Sequence, residues 1–137
     1  MALNSSTEPI VKGIVVKPFK VTADDSEGSI NTIPAGSTSV VVVGITEDAD
    51  DFVVLPRLGT VPNGHEITIL CSAGSGFELR TPVTSEEEIN SENCDGTKEL
   101  LCTDTEVLKV VKIDNTIGWM AHAYSAIGAV VTAVVPN

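Results

Sequence analysis

The sequence predicts an all-β fold, an antiparallel β-sandwich that is jelly-roll-like or a small barrel. Three observations predict it. Apolar residues make up 42% of the chain but aromatics only 4%, and valine leads, with isoleucine and threonine behind it. Branching at Cβ stiffens these side chains and suits them to a pleated surface more than to a helix. The 11 glycines and 7 prolines are spread along the chain, which marks many turns rather than one disordered tract. No window sustains an apolar period of about 3.6 residues, whereas short apolar runs recur roughly every 8–12 residues. A chain of 137 residues suits a single core.

Taken in order, residues 1–9 are small and polar and read as an arm. Ile10 to Val16 is a first apolar run, closed by Lys17-Pro18. Lys20 to Gly28 is an acidic loop, Ile30 to Pro34 a short apolar piece, and Ala35-Gly36-Ser37 a turn. Residues 1–37 are thus expected to form an N-terminal arm with the first strands, and residues 38–137 the sandwich domain. Thr38 to Ile45 carries four consecutive valines, Val40, Val41, Val42 and Val43, as expected of a strand buried on both faces. After an acidic loop, Phe52 to Leu55 is a strand stopped by Pro56, which cannot donate to a ladder. Val61-Pro62-Asn63-Gly64 is a turn, with Pro62 expected at the first central position, and a strand begins at Glu66.

Ala73 to Gly76 is a further turn. Phe77 to Thr81 alternates, so Phe77 and Leu79 should face the core and Glu78 and Arg80 the solvent. Thr84 to Thr97 is a polar loop anchored by Ile89, and Glu99 to Cys102 a brief strand. In Glu106 to Ile113, Lys109 and Lys112 break strict alternation, which a bulge or an edge position would explain. Asp114-Asn115-Thr116 turns the chain into a strand containing Trp119, and Gly128 to Val135 is the last strand, stopped by Pro136.

The net charge is −11. Such a surface repels phosphate backbones and anionic bilayers, so neither nucleic acid nor membrane is expected as a partner, whereas a basic patch is. Residues 1–10 lack the basic and apolar regions of a signal peptide, and the apolar run from Ala126 to Val135 is too short to span a bilayer as a helix. Cys71, Cys94 and Cys102 are odd in number and show no CxxC spacing, so free thiols of a reducing cytoplasm are expected.

No catalytic constellation assembles. His65 follows a turn and is expected in solvent; neither it nor His122 has a neighbour at metal-ligand spacing. The acids Glu47, Asp48, Asp50 and Asp51 lack the alternating grammar of a calcium loop. Glu86-Glu87-Glu88, like Asp24, Asp25 and Glu27, reads as solvated surface. Gly74-Ser75-Gly76 has no helix behind it to cradle a phosphate. Trp119 reads as a plug for a core poor in other aromatics. No catalytic, cofactor or metal residues are therefore assigned, and no cofactor is expected.

The runs TSVVVVGI and GAVVTAVV are too apolar for the solvated face of a monomer, and exposed they would invite edge pairing. Burial between subunits is the economical explanation, in a cyclic trimer or dimer. The expected interface residues are Val40, Val41, Val42, Val43, Val130, Val131 and Val134.

The order of motifs resembles β-rich modules of tailed-bacteriophage virion proteins. The residues that carry the likeness are Val54-Leu55-Pro56, the turn and strand from Val61 to Ile69, Thr81-Pro82, Ile89-Asn90, the strand from Val107 to Ile113, and Gly118-Trp119. Such modules occur in trimeric fibres, in tail tips and in the decoration, or cement, proteins of capsids. The absence of a repetitive shaft points to decoration. The resemblance implies a homotrimer on the outside of a phage shell, bound to the major capsid protein, made in the host cytoplasm and reinforcing the capsid. Ile10, Val11, Ile14, Val16 and Phe19 would then form a capsid-contact arm ordered on binding. The alternative is a head-fibre, tail-fibre or tail-tip module that reads a host receptor or glycan through an exposed Trp119 or Tyr124. A small β-fold hydrolase would need a convergent set of acids, histidines or nucleophiles that the spacing does not supply.

Overall fold

The computed structural model describes residues 18–37, 39–42 (backbone only), 50–71, 76–96, 98–102 and 107–124. Among these residues the chain is all-β, with one short 3-10 turn at Leu58–Thr60 and no α-helix. The strands are β1 (Phe19–Val21), β2 (Ser39–Val42), β3 (Phe52–Val54), β4 (Glu66–Cys71), β5 (Phe77–Arg80), β6 (Glu88–Ile89), β7 (Glu92–Asn93), β8 (Leu100–Cys102), β9 (Val107–Asp114) and β10 (Gly118–Tyr124). They form a seven-stranded sheet in the order β1-β2-β4-β9-β10-β6-β7 and a three-stranded sheet in the order β3-β5-β8. Buried residues of both sheets, from Ile67, Ile69, Leu108 and Val110 to Val53, Phe77, Leu79 and Leu100, join in one core.

The sheets are mixed rather than antiparallel, which corrects the expectation. β1 pairs with β2, β2 with β4, β6 with β10 and β3 with β5 in parallel. The cause lies in the chain path. β3 is the crossover between β2 and β4, and β4 the crossover between β3 and β5. Parallel neighbours require such a crossover, and hydrophobic alternation reports faces, not strand direction. A jelly roll is built from antiparallel strands, so these pairs depart from it. Among the described residues no barrel closes.

The turns follow the sequence closely. The His65 N–H donates to Pro62 O at 3.1 Å, so Asn63 and Gly64 are the central residues and Pro62 stands one place earlier than expected. Gly64 has φ +82, which places it where a type II turn wants glycine. Ser37 closes the turn on Pro34. The Ser85–Asn90 stretch forms no helical turn, because Thr84, Glu86, Asn90 and Ser91 all sit at positive φ.

β9 is a central strand, flanked by β4 and β10, and Lys112 is only 3% exposed on its core face. The expected bulge therefore does not coincide with the lysines. It lies one residue on: Gly118 pairs with Asp114 and Trp119 with Lys112, which leaves Ile113 as the extra residue. Gly118 makes this possible. Its φ is +81, and a Cβ there would stand 2.5 Å from Glu88 O. Gly118→Ala should therefore cost about 2 kcal/mol in urea unfolding. A wild-type midpoint in that variant would show that β6 does not approach so closely.

Of the N-terminal 37 residues, 1–17 lie outside the described set, while Val21, Ala23 and Ile33 pack into the common core. Asp24 and Thr32 bridge to Phe52 and Val54 of β3. The expected strands at Ile10–Val16 and Gly128–Val135 also lie outside the described residues.

Candidate functional site

A cleft of about 310 Å³ lies between the loop at Asp25–Glu27 and the chain leaving β5. Its floor is Arg80 stacked on Phe52, with the guanidinium carbon 4.2 Å from the ring centre. Arg80 Nη2 donates to Glu78 Oε2 at 2.5 Å, and Glu99 Oε2 lies 3.9 Å away. Glu78, expected in solvent, is 8% exposed, because Arg80 folds back over it. Burial pushes its carboxyl above the ordinary range, against the pull of Arg80. At the rim, Glu27 Oε2 accepts the Val83 N–H at 2.8 Å and Asp95 Oδ2 accepts the Glu86 N–H at 3.3 Å. These carboxylates tie loops together. The hydroxyl of Ser26, in the cleft lining, donates to Asp24 Oδ1 at 3.1 Å, and among the described residues no three histidine, cysteine or acidic side chains are placed to hold a metal.

Beside the cleft, the acidic loop expected to be free in solvent is organised by Asn31, which is fully buried. Its Nδ2 donates to Ser26 O at 3.0 Å and Phe52 O at 3.2 Å, and its Oδ1 accepts the Gly28 N–H at 2.8 Å. One amide thus ties the loop to Phe52 of β3, whose carbonyl also accepts the Asp24 N–H at 3.2 Å.

A second polar centre surrounds the 3-10 turn at Leu58–Thr60. Lys112 Nζ donates to Leu58 O at 2.6 Å and Val61 O at 2.7 Å. Glu87 Oε1 accepts the Leu58 N–H at 3.0 Å, capping the turn from 29 positions away in the chain. Glu87 is therefore not solvated surface as expected. Its Oε2 is buried without a partner among the described residues, and burial raises its carboxyl above the ordinary range. Lys112 and Glu87 clamp the turn from its two ends.

These groups set a pH dependence. Glu78 and Glu87 have raised carboxyls, so their contribution to stability is present below the ordinary carboxylate range and is lost as pH rises through their folded values. Asp24 and Asp114 are held low, Asp24 by the Ser26 N–H and hydroxyl and Asp114 by the Ile117 and Thr116 N–H groups. Their contribution is present above the ordinary range and is lost as pH falls. The urea midpoint should therefore rise as pH falls from neutral towards the ordinary carboxylate range and turn down below that range. Glu87→Gln, which keeps an acceptor for Leu58, should flatten the rising limb. A midpoint that falls steadily as pH is lowered from neutral to the ordinary carboxylate range would contradict the assignment.

The remaining candidates fall into place singly. His65 is half-buried, with Nε2 donating to Ser37 O at 2.9 Å, rather than in solvent. His122 is exposed on β10. Trp119 is fully buried, so it cannot stack on a ligand; Tyr124 is half-buried at the end of β10. Cys71, Cys94 and Cys102 are buried thiols outside any disulfide, and burial pushes the Cys94 thiol up to about 11, which leaves it unreactive. Glu47 and Asp48 lie outside the described residues; Asp50 is exposed and Asp51 buried. Of the expected interface, Val40, Val41 and Val42 form β2, while Val43, Val130, Val131 and Val134 lie outside the described residues. Of the expected arm, Ile10, Val11, Ile14 and Val16 lie outside them, and Phe19 begins β1 at 39% exposed.

The outer face of the seven-stranded sheet is the other extended surface. Residues opposite one another in antiparallel strands share a face. Leu70, Val107 and Tyr124 form one cross-strand row, Thr68, Lys109 and His122 the next, and Glu66, Val111 and Met120 a third. None of these nine side chains is buried. The intervening residues Ile67, Ile69, Leu108, Val110, Ala121 and Ala123 fill the core.

Comparison with protein-family models and with curated proteins finds no match to this chain.

Proposed function

We propose that the chain is a virion structural protein, a homotrimer of sandwich-like subunits that binds the outside of a tailed-phage capsid and stabilises the shell. Its support is the position of the residues that resemble phage virion modules. Leu55-Pro56 follows β3, Pro62-Asn63-Gly64 is the turn before β4, and Thr81-Pro82 follows β5. Asn90 leaves β6 and pairs its side-chain amide with the backbone of Ala121, at 2.9 Å from the Ala121 N–H. Gly118-Trp119 opens β10 beside the bulge. Each motif ends or aligns a strand, so the likeness is one of scaffold, and a scaffold acts through surface area rather than chemistry. Added interface at the joints between shell subunits contributes a modest free energy per site, repeated over the shell and driven by mass action. The net charge of −11 suits a partner surface that carries lysine and arginine. The major capsid protein is that partner, and the assembled virion surface the location, with synthesis in the host cytoplasm.

The test uses empty, expanded tailed-phage shells incubated with the purified chain. The chain should co-sediment at a fixed ratio to shell subunits and raise the shell's disruption temperature. Shells that neither retain the chain nor gain stability would contradict decoration. The second reading, a fibre or tail-tip module, keeps Tyr124 as its half-exposed aromatic. Quenching of Tyr124 emission by added glycans, without shell binding, would favour it.

A further inference from the structure

We infer that the outer face of the seven-stranded sheet, the surface of Leu70, Val107 and Tyr124, is where copies of this chain meet. The inference rests on the homo-oligomer reading above and names its contact surface.

Charge carries it. The chain has 19 acidic residues against 8 lysines and arginines, so two copies that approach at random meet like charge. The described acids crowd elsewhere: Asp25, Glu27 and Asp95 line the cleft, and Glu86, Glu87, Glu88, Glu92 and Glu99 lie in the stretch after β5. The three outer rows hold one acid, Glu66, and Lys109 Nζ lies 3.3 Å from its Oε1. Beside this pair, His122 is exposed. Among the described residues the face is therefore close to neutral, on a chain of net charge −11. Like charges juxtaposed across an interface are costly, so this is the face on which copies can approach.

Composition agrees. Interface centres are depleted of charge and enriched in aromatic residues and methionine. The rows bring together Tyr124, Met120, Leu70, Val107 and Val111, and Leu70 is 38% exposed. By backbone register the first row continues through Val41 of β2 to Lys20 of β1, so the valine strand of the expected interface lies in this sheet. Three such faces around a threefold axis would cover one another and remove the exposed row from water.

The test is light scattering after size exclusion on the full chain, the Leu70→Glu and His122→Glu variants, and Val83→Glu as control. Val83 is 53% exposed on the cleft side. Both face variants put an acid where copies would meet. Each should weaken association at least tenfold and shift the mass towards the monomer, while Val83→Glu keeps the wild-type mass. Blue-shifted Trp119 emission confirms the fold of each variant. If Leu70→Glu fails to fold, His122→Glu, at an exposed position, carries the test alone. Wild-type masses in both face variants would overturn the choice of face and leave the oligomer intact. A wild-type chain that is monomeric throughout would overturn the oligomer and this inference with it. A monomer strongly destabilised by Leu70→Glu would instead mean that the chain's own residues cover the face.

Discussion

Trp119→Ala should lower the unfolding free energy by about 4 kcal/mol, the largest loss expected from any single substitution in this chain. The indole is fully buried at the point where β6, β9 and β10 meet: Trp119 pairs with Ile89 on one side and with Lys112 on the other. An indole removes on the order of 200 Å² from water, and the chain has only 3 phenylalanines and 1 tyrosine to share that work. The main chain is held on both sides, by the Asn90 N–H on Trp119 O and by the ladder to β9, so the site cannot collapse to close the cavity. The indole N–H is buried and has no acceptor among the described residues. Trp119→Phe removes that orphan donor along with part of the area. It should therefore cost well under half as much as the alanine variant. Urea unfolding followed by circular dichroism checks both. An alanine variant within about 1 kcal/mol of wild type would mean that the indole is not the core plug.

Lys112→Met should cost about 3 kcal/mol. Two effects oppose each other here. Replacing a buried ammonium with a thioether of similar length removes a desolvation cost, and in some proteins that change is stabilising. Lys112, however, is bonded to two carbonyls, Leu58 O and Val61 O, and methionine takes that donor from both, leaving Leu58 O with the Val61 N–H at 3.4 Å. It also removes one of the two positive charges, with Arg57 the stronger, that offset the buried carboxylate of Glu87. The lost donors and the less compensated acid together outweigh the gain. Lys112→Met combined with Glu87→Gln should recover part of the loss, because the second change removes the less compensated charge; the non-additivity measures the coupling. A single Lys112→Met variant as stable as wild type would show that the turn at Leu58–Thr60 is held by packing alone.

Lys112 also shows how far the sequence can be read. The break in alternation at Lys109 and Lys112 is plain in the one-dimensional pattern. Its cause is not, because the acceptors that let a lysine enter the core stand 51 and 54 positions away. The same distance hides Glu87, which sits in an acidic triplet that looks like solvated surface but caps a turn 29 positions away. The longer strands were legible because they depend on local chemistry: β-branched runs, Pro56 and Pro82 as stops, Gly64 at a turn; β1, β6 and β7 fall in stretches read as loops, because two or three residues carry no alternation to read. Strand direction was not legible, since β2 and β4 alternate in the same way whether parallel or antiparallel. The cleft left no local signal at all. Arg80 and Phe52 are ordinary strand residues until β3 and β5 lie side by side. Asn31 looks like any loop asparagine until its amide meets the Phe52 carbonyl. Trp119 was legible as a core residue because a chain so poor in aromatics has few other ways to fill its centre.

The proposed protein works by presenting surface as an assembled subunit, so its solution mass is the most direct test. Light scattering after size exclusion, repeated over a range of concentrations, should give about three times the 14.3 kDa of a single chain. A concentration-independent mass equal to one chain would contradict the account. The apolar runs would then have to be covered within one molecule, and the surface of Leu70, Val107 and Tyr124 would need a different occupant.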